Sequence, residues 1–156
     1  MIQRIQTLYL FVIVVLSLIT LFSPIAGFQN LESAELYRLN YQGLFLIDSN
    51  IGELFRTSTW MLTSLMVIVP LICLIVIFLF RKRILQIRLI IFSLVLMAGF
   101  YALLFIYLWQ FGKVLNATWY LEIVSAFPLI NIILSVLSIR AIGKDEALVK
   151  SLKRIR

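Results

Sequence analysis

Leu36-Tyr37-Arg38-Leu39-Asn40-Tyr41-Gln42-Gly43-Leu44-Phe45-Leu46-Ile47 is the stretch that departs most from the rest of the chain. Aromatic and branched residues flank Asn40-Tyr41-Gln42-Gly43 on both sides and suit two strands. Asparagine at the first and glycine at the fourth position suit a type I turn between them. The segment therefore predicts a small β-hairpin. A lone hairpin is marginal in water, so it needs a surface to lie on. Tyr37, Leu39, Tyr41, Phe45 and Ile47 are the side chains available for that packing. The hairpin sits in the one long polar stretch, residues 24–56, where Glu32, Glu35, Asp48 and Glu53 stand against Arg38 and Arg56. Asp48-Ser49-Asn50-Ile51-Gly52 reads as a further turn.

On either side of this stretch the chain is apolar. Of its 156 residues 63% are hydrophobic, against roughly 45–50% in soluble domains, and the mean hydropathy is +1.08. Apolar runs cover residues 5–23, 57–80, 89–111 and 119–142. At about 1.5 Å per residue, even the shortest run approaches the roughly 30 Å of a bilayer core. The first run has the charged start of a signal peptide, Arg4, and a cleavage candidate at Ile25-Ala26-Gly27. It is longer than the usual apolar region of about 7–15 residues, and the small-x-small pattern is poor. It is read as a retained helix ended by Pro24 and Gly27. Pro70 and Pro128 fall near the middle of the second and fourth spans, and Ala98, Gly99 and Ala102 permit close helix approach in the third. Gly143 ends the fourth helix.

Residues 143–156 then form a short amphipathic helix. Leu148, Leu152 and Ile155 share one side, and Lys150, Lys153 and Arg154 fall elsewhere on the wheel, which suits an anionic inner leaflet. The expected fold is all-α: a four-helix transmembrane bundle, one membrane domain over residues 1–156, with a small extracytoplasmic hairpin and a short cytoplasmic C-terminal helix.

The net charge of +7 does not point to nucleic acid, because the basic residues flank apolar spans. Arg81-Lys82-Arg83 joins the second and third runs. If it faces the cytoplasm, so do Arg4, Arg88, Arg140, Lys144, Lys150, Lys153, Arg154 and Arg156, which makes 11 of the 14 basic residues. Arg38, Arg56 and Lys113 fall on the other side. Trp60, Trp109 and Trp119 all lie at the outer boundary, where an aromatic belt belongs. Both termini are therefore expected in the cytoplasm.

Chemistry is sparse. The chain has no histidine, so the commonest general base and zinc ligand are missing. Cys73 is the single cysteine and reads as a small apolar-facing residue. Glu122 is the one acid inside an apolar run. It is read as interfacial, exposed or paired with Lys113, Arg38 or Arg56, with a ligand or partner contact as the alternative. Asn131 lies deeper and reads as an interhelical hydrogen bond worth roughly 1 kcal/mol, or as a substrate contact. Pro70 and Pro128 read as packing kinks, or as the broken helices of a transporter. No phosphate-binding loop, metal cluster, haem ligand or pair of intramembrane carboxylates is present, so neither an enzyme nor a cofactor is expected. The leading expectation is a non-catalytic accessory or scaffold subunit of a larger membrane assembly. The alternative is a small transporter or lipid-handling protein. The candidate contacts with anionic lipid or a membrane-protein partner are Tyr37, Leu39, Tyr41, Phe45, Glu122, Asn131, Arg81, Lys82, Arg83, Lys150, Lys153 and Arg154.

Both ends of the chain carry a pattern of their own. Met1-Ile2-Gln3-Arg4-Ile5-Gln6-Thr7-Leu8-Tyr9-Leu10, Arg140-Ala141-Ile142-Gly143-Lys144-Asp145-Glu146-Ala147-Leu148-Val149 and Arg154-Ile155-Arg156 resemble a family of small four-span membrane proteins of Bacteroidota that carries only a domain-of-unknown-function label. The resemblance implies an inner-membrane location and no assigned activity, cofactor or catalytic residue. The topology is also similar to that of claudin-like proteins, with four helices, both ends inside and a long first outer loop with strands. Gly43-Leu44-Phe45 loosely matches their Gly-Leu-Trp, but their paired loop cysteines are missing here.

Overall fold

The computed structural model describes residues 3–30, 35–48, 52–79 and 82–154. Along the chain run α1 (Gln3–Phe22), β1 (Ala26–Gln29), β2 (Leu36–Asn40), β3 (Gly43–Asp48), β4 (Gly52–Ser58), α2 (Trp60–Phe78), α3 (Arg83–Val114), β5 (Thr118–Leu121), a 3₁₀ turn (Ile123–Ala126) and α4 (Phe127–Arg154). All four α-helices contain stretches long and apolar enough to cross a membrane. Each is apolar around most of its circumference. In α3 the buried side chains Ile90, Ser93, Met97, Phe100, Leu104, Leu108 and Phe111 recur every three or four residues, yet Phe92, Val95, Phe105 and Ile106 on other faces are exposed. A helix that is hydrophobic all round belongs in a large core or in lipid.

The five strands form one antiparallel sheet in the order β4-β3-β2-β1-β5. β1 follows α1, β4 precedes α2, and β5 lies between α3 and α4, so every strand lies at the same end of the helices. Side chains alternate across a strand, and here one face is buried. Ala26, Phe28, Tyr37, Leu39, Leu44 and Leu46 pack on Leu62, Met66, Phe100, Leu104, Leu108 and Phe111. The registers Phe28↔Tyr37 and Leu39↔Leu44 keep these residues on that face. Away from the sheet, a second apolar cluster joins Leu10, Ile13 and Val14 to Val69, Cys73, Val76, Ile90, Met97 and Ile142.

The expectation of an all-α protein with a lone hairpin is overturned: the fold is α+β. The predicted hairpin is present as β2 and β3, paired from Leu36↔Ile47 to Asn40↔Gly43, but it is the centre of a larger sheet. The other strands are hidden for separate reasons. Ala26-Gly27-Phe28-Gln29 is short and carries a glycine, so it reads as a helix end. Gly52–Ser58 looks like a turn running into an apolar span. Thr118-Trp119-Tyr120-Leu121 merges with the apolar run after it, although its composition suits a strand. β1 and β5 hold each other through Ala26↔Leu121 and Phe28↔Trp119, and the Thr118 hydroxyl donates to the Gln29 carbonyl 89 residues away.

The helix limits change as well. α2 starts at Trp60 because Thr57 and Ser58 belong to β4. α3 has 32 residues, about 48 Å of helix, and is longer than a bilayer core. Pro128 lies in the first turn of α4, where its missing N–H removes no helical bond, so it is not a mid-span break. Gly143 does not end α4, which runs on to Arg154, and the tail is not a separate short helix. One internal glycine costs only about 1 kcal/mol, less than the strong helix formers around it recover.

At the opposite end from the sheet, α2 turns into α3. The Gln86 side-chain amide donates to the Val76 carbonyl at 2.9 Å. The same carbonyl also accepts the Leu79 N–H at 3.1 Å, so the amide of α3 adds a second bond at the end of α2.

Candidate functional site

The interior holds a polar strip. α4 presents Asn131, Ser135 and Ser138 at helical spacing on one face, all 1% exposed or less. α1 runs antiparallel to it and presents Ser17 and Thr20, also buried. The Asn131 side-chain amide donates to Ser17 Oγ at 3.0 Å, and Thr20 Oγ1 donates to the Leu16 carbonyl at 2.8 Å. Asn131 Oδ1, Ser135 Oγ and Ser138 Oγ have no hydrogen-bond partner. A cavity of about 30 Å³ lies beside Asn131, lined also by Ser17 and Thr20 on α1, Met66 and Val69 on α2, and Met97 and Phe100 on α3. Pro70 follows directly on α2 and deprives the Met66 carbonyl of its helical N–H partner.

The sheet holds the other candidates, and it separates them. Tyr37 and Leu39 face inward and are buried, so they serve as core and offer no contact surface. Tyr41 sits at the hairpin tip, edge-on to the Phe22 ring at 6.2 Å. Its carbonyl accepts a hydrogen bond from the Thr63 hydroxyl, which pins the tip to α2. Phe45 and Ile47 point to the outer face, and Phe45 meets Phe55 edge-to-face at 5.5 Å. Glu122 lies between β5 and the 3₁₀ turn, and its carbonyl accepts from Ser125 N at 3.0 Å and Ser125 Oγ at 2.7 Å. It pairs with none of the expected cations among the described residues. Lys113 instead lies over the Trp109 ring at 3.9 Å, and Arg38 meets Glu53 at 3.5 Å. Lys82 is exposed, while Arg83 is half-buried with Nη1 unpartnered. Arg81, and the side chains of Lys150, Lys153 and Arg154, lie outside the described residues.

Sequence reasoning found Asn131 but not its neighbours. Ser17, Thr20, Ser135 and Ser138 are small hydroxyl residues inside apolar runs, a pattern that serves helix packing equally well. The second omission is the exposed apolar border of the sheet. Leu54, Phe55, Trp119, Tyr120, Leu121 and Ile123 are all at least 38% exposed. The signal for β5 was its Thr-Trp-Tyr content, masked by the adjoining span.

One group on the sheet titrates unusually. The Tyr37 hydroxyl donates to Glu35 Oε2 at 2.7 Å. Burial first, then that bond and the carboxylate charge, push the phenol above its ordinary 10.0. The fold thus favours the neutral phenol. This contribution is complete below pH 10 and is lost as pH rises through the folded-state value. Chemical-denaturation curves taken across that range should show the stability advantage of wild type over Tyr37→Phe shrinking above pH 10. An advantage that does not change with pH would refute the linkage.

Taken together, these features define an α+β protein with four membrane-compatible helices, a five-stranded sheet covering one end and a small, mostly apolar cavity beside Asn131. Among the described residues, no group of three cysteine, aspartate or glutamate side chains gathers at one place. The chain belongs to the family described as Domain of unknown function (DUF4293), whose model matches residues 2–155. No curated protein matches the chain.

Proposed function

We propose that the chain is a non-catalytic integral membrane protein that serves as an accessory or scaffold subunit and docks a membrane-protein partner through its sheet. The observation that carries this reading is the uncovered border of the sheet. Every residue of β4 and β5 is exposed. An open edge strand offers unpaired N–H and C=O groups to another chain, and Phe55, Trp119, Tyr120 and Leu121 place large apolar area beside those groups, 45–57% exposed. β4 and β5 are the two opposite edges of the sheet, so these residues form two separate exposed apolar patches, and such patches mark interaction sites.

Orientation follows from charge. The helices alternate in direction, so the start of α1, the α2–α3 turn and the end of α4 share the end away from the sheet. Eleven of the 14 basic residues belong to those segments by sequence position. This supports an inner-membrane protein with that end in the cytoplasm, against anionic lipid, and with the sheet outside.

The transport alternative loses support. A cavity of about 30 Å³ is far below the 300–1,000 Å³ of ordinary ligand sites, and Glu122 is not part of it. Lipid handling keeps one favourable feature, an open groove of about 600 Å³ along Tyr41, Trp60, Thr63, Val67 and Ile68.

The test is a photo-crosslinking amino acid placed at position 55 and, separately, at position 67. The subunit reading expects a discrete protein adduct at 55. It also expects a stoichiometric partner in mild detergent that is lost in the Leu54→Lys/Phe55→Lys double variant while the circular dichroism spectrum stays unchanged. A clean monomer or homodimer with no adduct at 55 overturns it. A lipid adduct at 67 without a protein adduct at 55 turns the reading to lipid handling.

A further inference from the structure

We propose that the cavity beside Asn131 is a water-binding site that links α1, α2 and α4 where Pro70 interrupts the hydrogen bonding of α2. Space is the first argument. About 10–15 Å³ suffices for one water, and the cavity offers about 30 Å³. Cavities that stay dry are lined by apolar groups alone; most of this wall is apolar, but Ser17, Thr20 and Asn131 also belong to it.

Unmet hydrogen bonding is the second argument. Asn131 is 1% exposed. Its amide nitrogen is engaged by Ser17, and its Oδ1 has no partner. A buried acceptor left this way is costly, and native proteins usually satisfy it. Across the cavity, Met66 belongs to its wall, and its carbonyl is the one whose helical donor Pro70 removes. The Ser17 hydroxyl accepts from Asn131 and keeps its own proton to give. One water can donate to Asn131 Oδ1 and to the Met66 carbonyl and accept from Ser17. That makes three bonds, the usual number for a buried water. The three partners come from three different helices.

A bound cation fits poorly. A hard cation takes about six or more oxygen ligands, and the wall here carries no charged group and is otherwise Leu65, Met66, Val69, Met97, Phe100 and Pro128. The site is independent of the docking surface, because it lies inside the helices and away from the sheet border.

The test uses the full chain in lipid bilayers with ¹⁵N-labelled asparagine and water-edited solid-state NMR. The Asn131 side-chain amide should receive polarisation from water at a rate approaching that of exposed Asn116. Ser17→Val removes a donor and fills the space, and should abolish the transfer to Asn131 while that to Asn116 is unchanged. Met97→Phe fills the cavity from α3 and serves if Ser17→Val does not fold. Absence of transfer in wild type, or transfer undiminished in the filled variants, overturns the proposal. Melting temperatures should be equal in sodium, potassium and choline chloride. A gain specific to one metal cation would mean that the site holds an ion instead, and also overturns it.

Discussion

Replacing Gly43 with alanine should destabilise the protein by about 3 kcal/mol or more, combining a strained backbone with a steric clash. Gly43 has a φ of +151°, a conformation that L side chains rarely adopt, and a Cβ built on it would press into the Thr57 carbonyl oxygen. That carbonyl belongs to β4, directly across from the end of the β2–β3 turn. It is backbone and cannot swing aside, so the strand pairing must shift. Thermal unfolding in detergent should fall by roughly 6–12 °C. Gly52→Ala is the control. Its φ is +86° with nothing within 4 Å of the added carbon, so only backbone strain of about 1–2 kcal/mol applies. Equal losses at the two positions would mean that β4 does not pass where the structure puts it.

The second large effect belongs to Phe28→Ala, expected to cost about 3–5 kcal/mol as a fully buried aromatic truncation. Phe28 is 0% exposed and meets the Phe111 ring edge-to-face at 6.1 Å. It joins β1 to α3 and pairs with Trp119 on β5 and Tyr37 on β2. Its loss should loosen both the sheet and its seat on the helices. Phe45 on the outer face touches Phe55 and is half-buried, so Phe45→Ala should cost only about 1 kcal/mol. Denaturant titrations of both variants decide the point. If the two costs are similar, the sheet does not pack on the helices.

These two residues show where sequence reading works and where it stops. Gly43 could be placed at a turn because turn chemistry is local: four residues in a row carry the signal. Its particular role depends on Thr57, on a strand that the sequence disguises as the start of a helix. Phe28 was not singled out at all. Its neighbours Ala26, Gly27 and Gln29 have little strand preference, and what makes them a strand is pairing on both sides. Tyr37 and Leu39 were expected to pack on helix ends and do. Tyr41 and Phe45 were named alongside them, but the alternation of side chains across β2 and β3 puts Phe45 on the opposite face.

Charge and length were legible for the same local reason. Apolar runs long enough for a membrane announce four helices without any knowledge of their neighbours. The basic residues between and beyond those runs mark one end. The exact helix limits were less legible, because Thr57, Ser58 and Thr118–Leu121 continue an apolar or neutral run while belonging to strands. Gly143 misled in the other direction, since one glycine cannot stop a helix whose flanks favour it.

The hairpin turn, the apolar helices and the absence of histidine chemistry were thus in the residues themselves, as properties of short windows. The five-stranded sheet, the cavity and the side chains that line it were not. Ser17 and Asn131 stand 114 positions apart and meet at 3.0 Å, and β1 becomes a strand only where β2 and β5 lie beside it. No local window contains both partners of such a contact. It forms because α1 and α4 pack antiparallel and the sheet closes over one end of the helices, which sets the spatial neighbours of every residue at once.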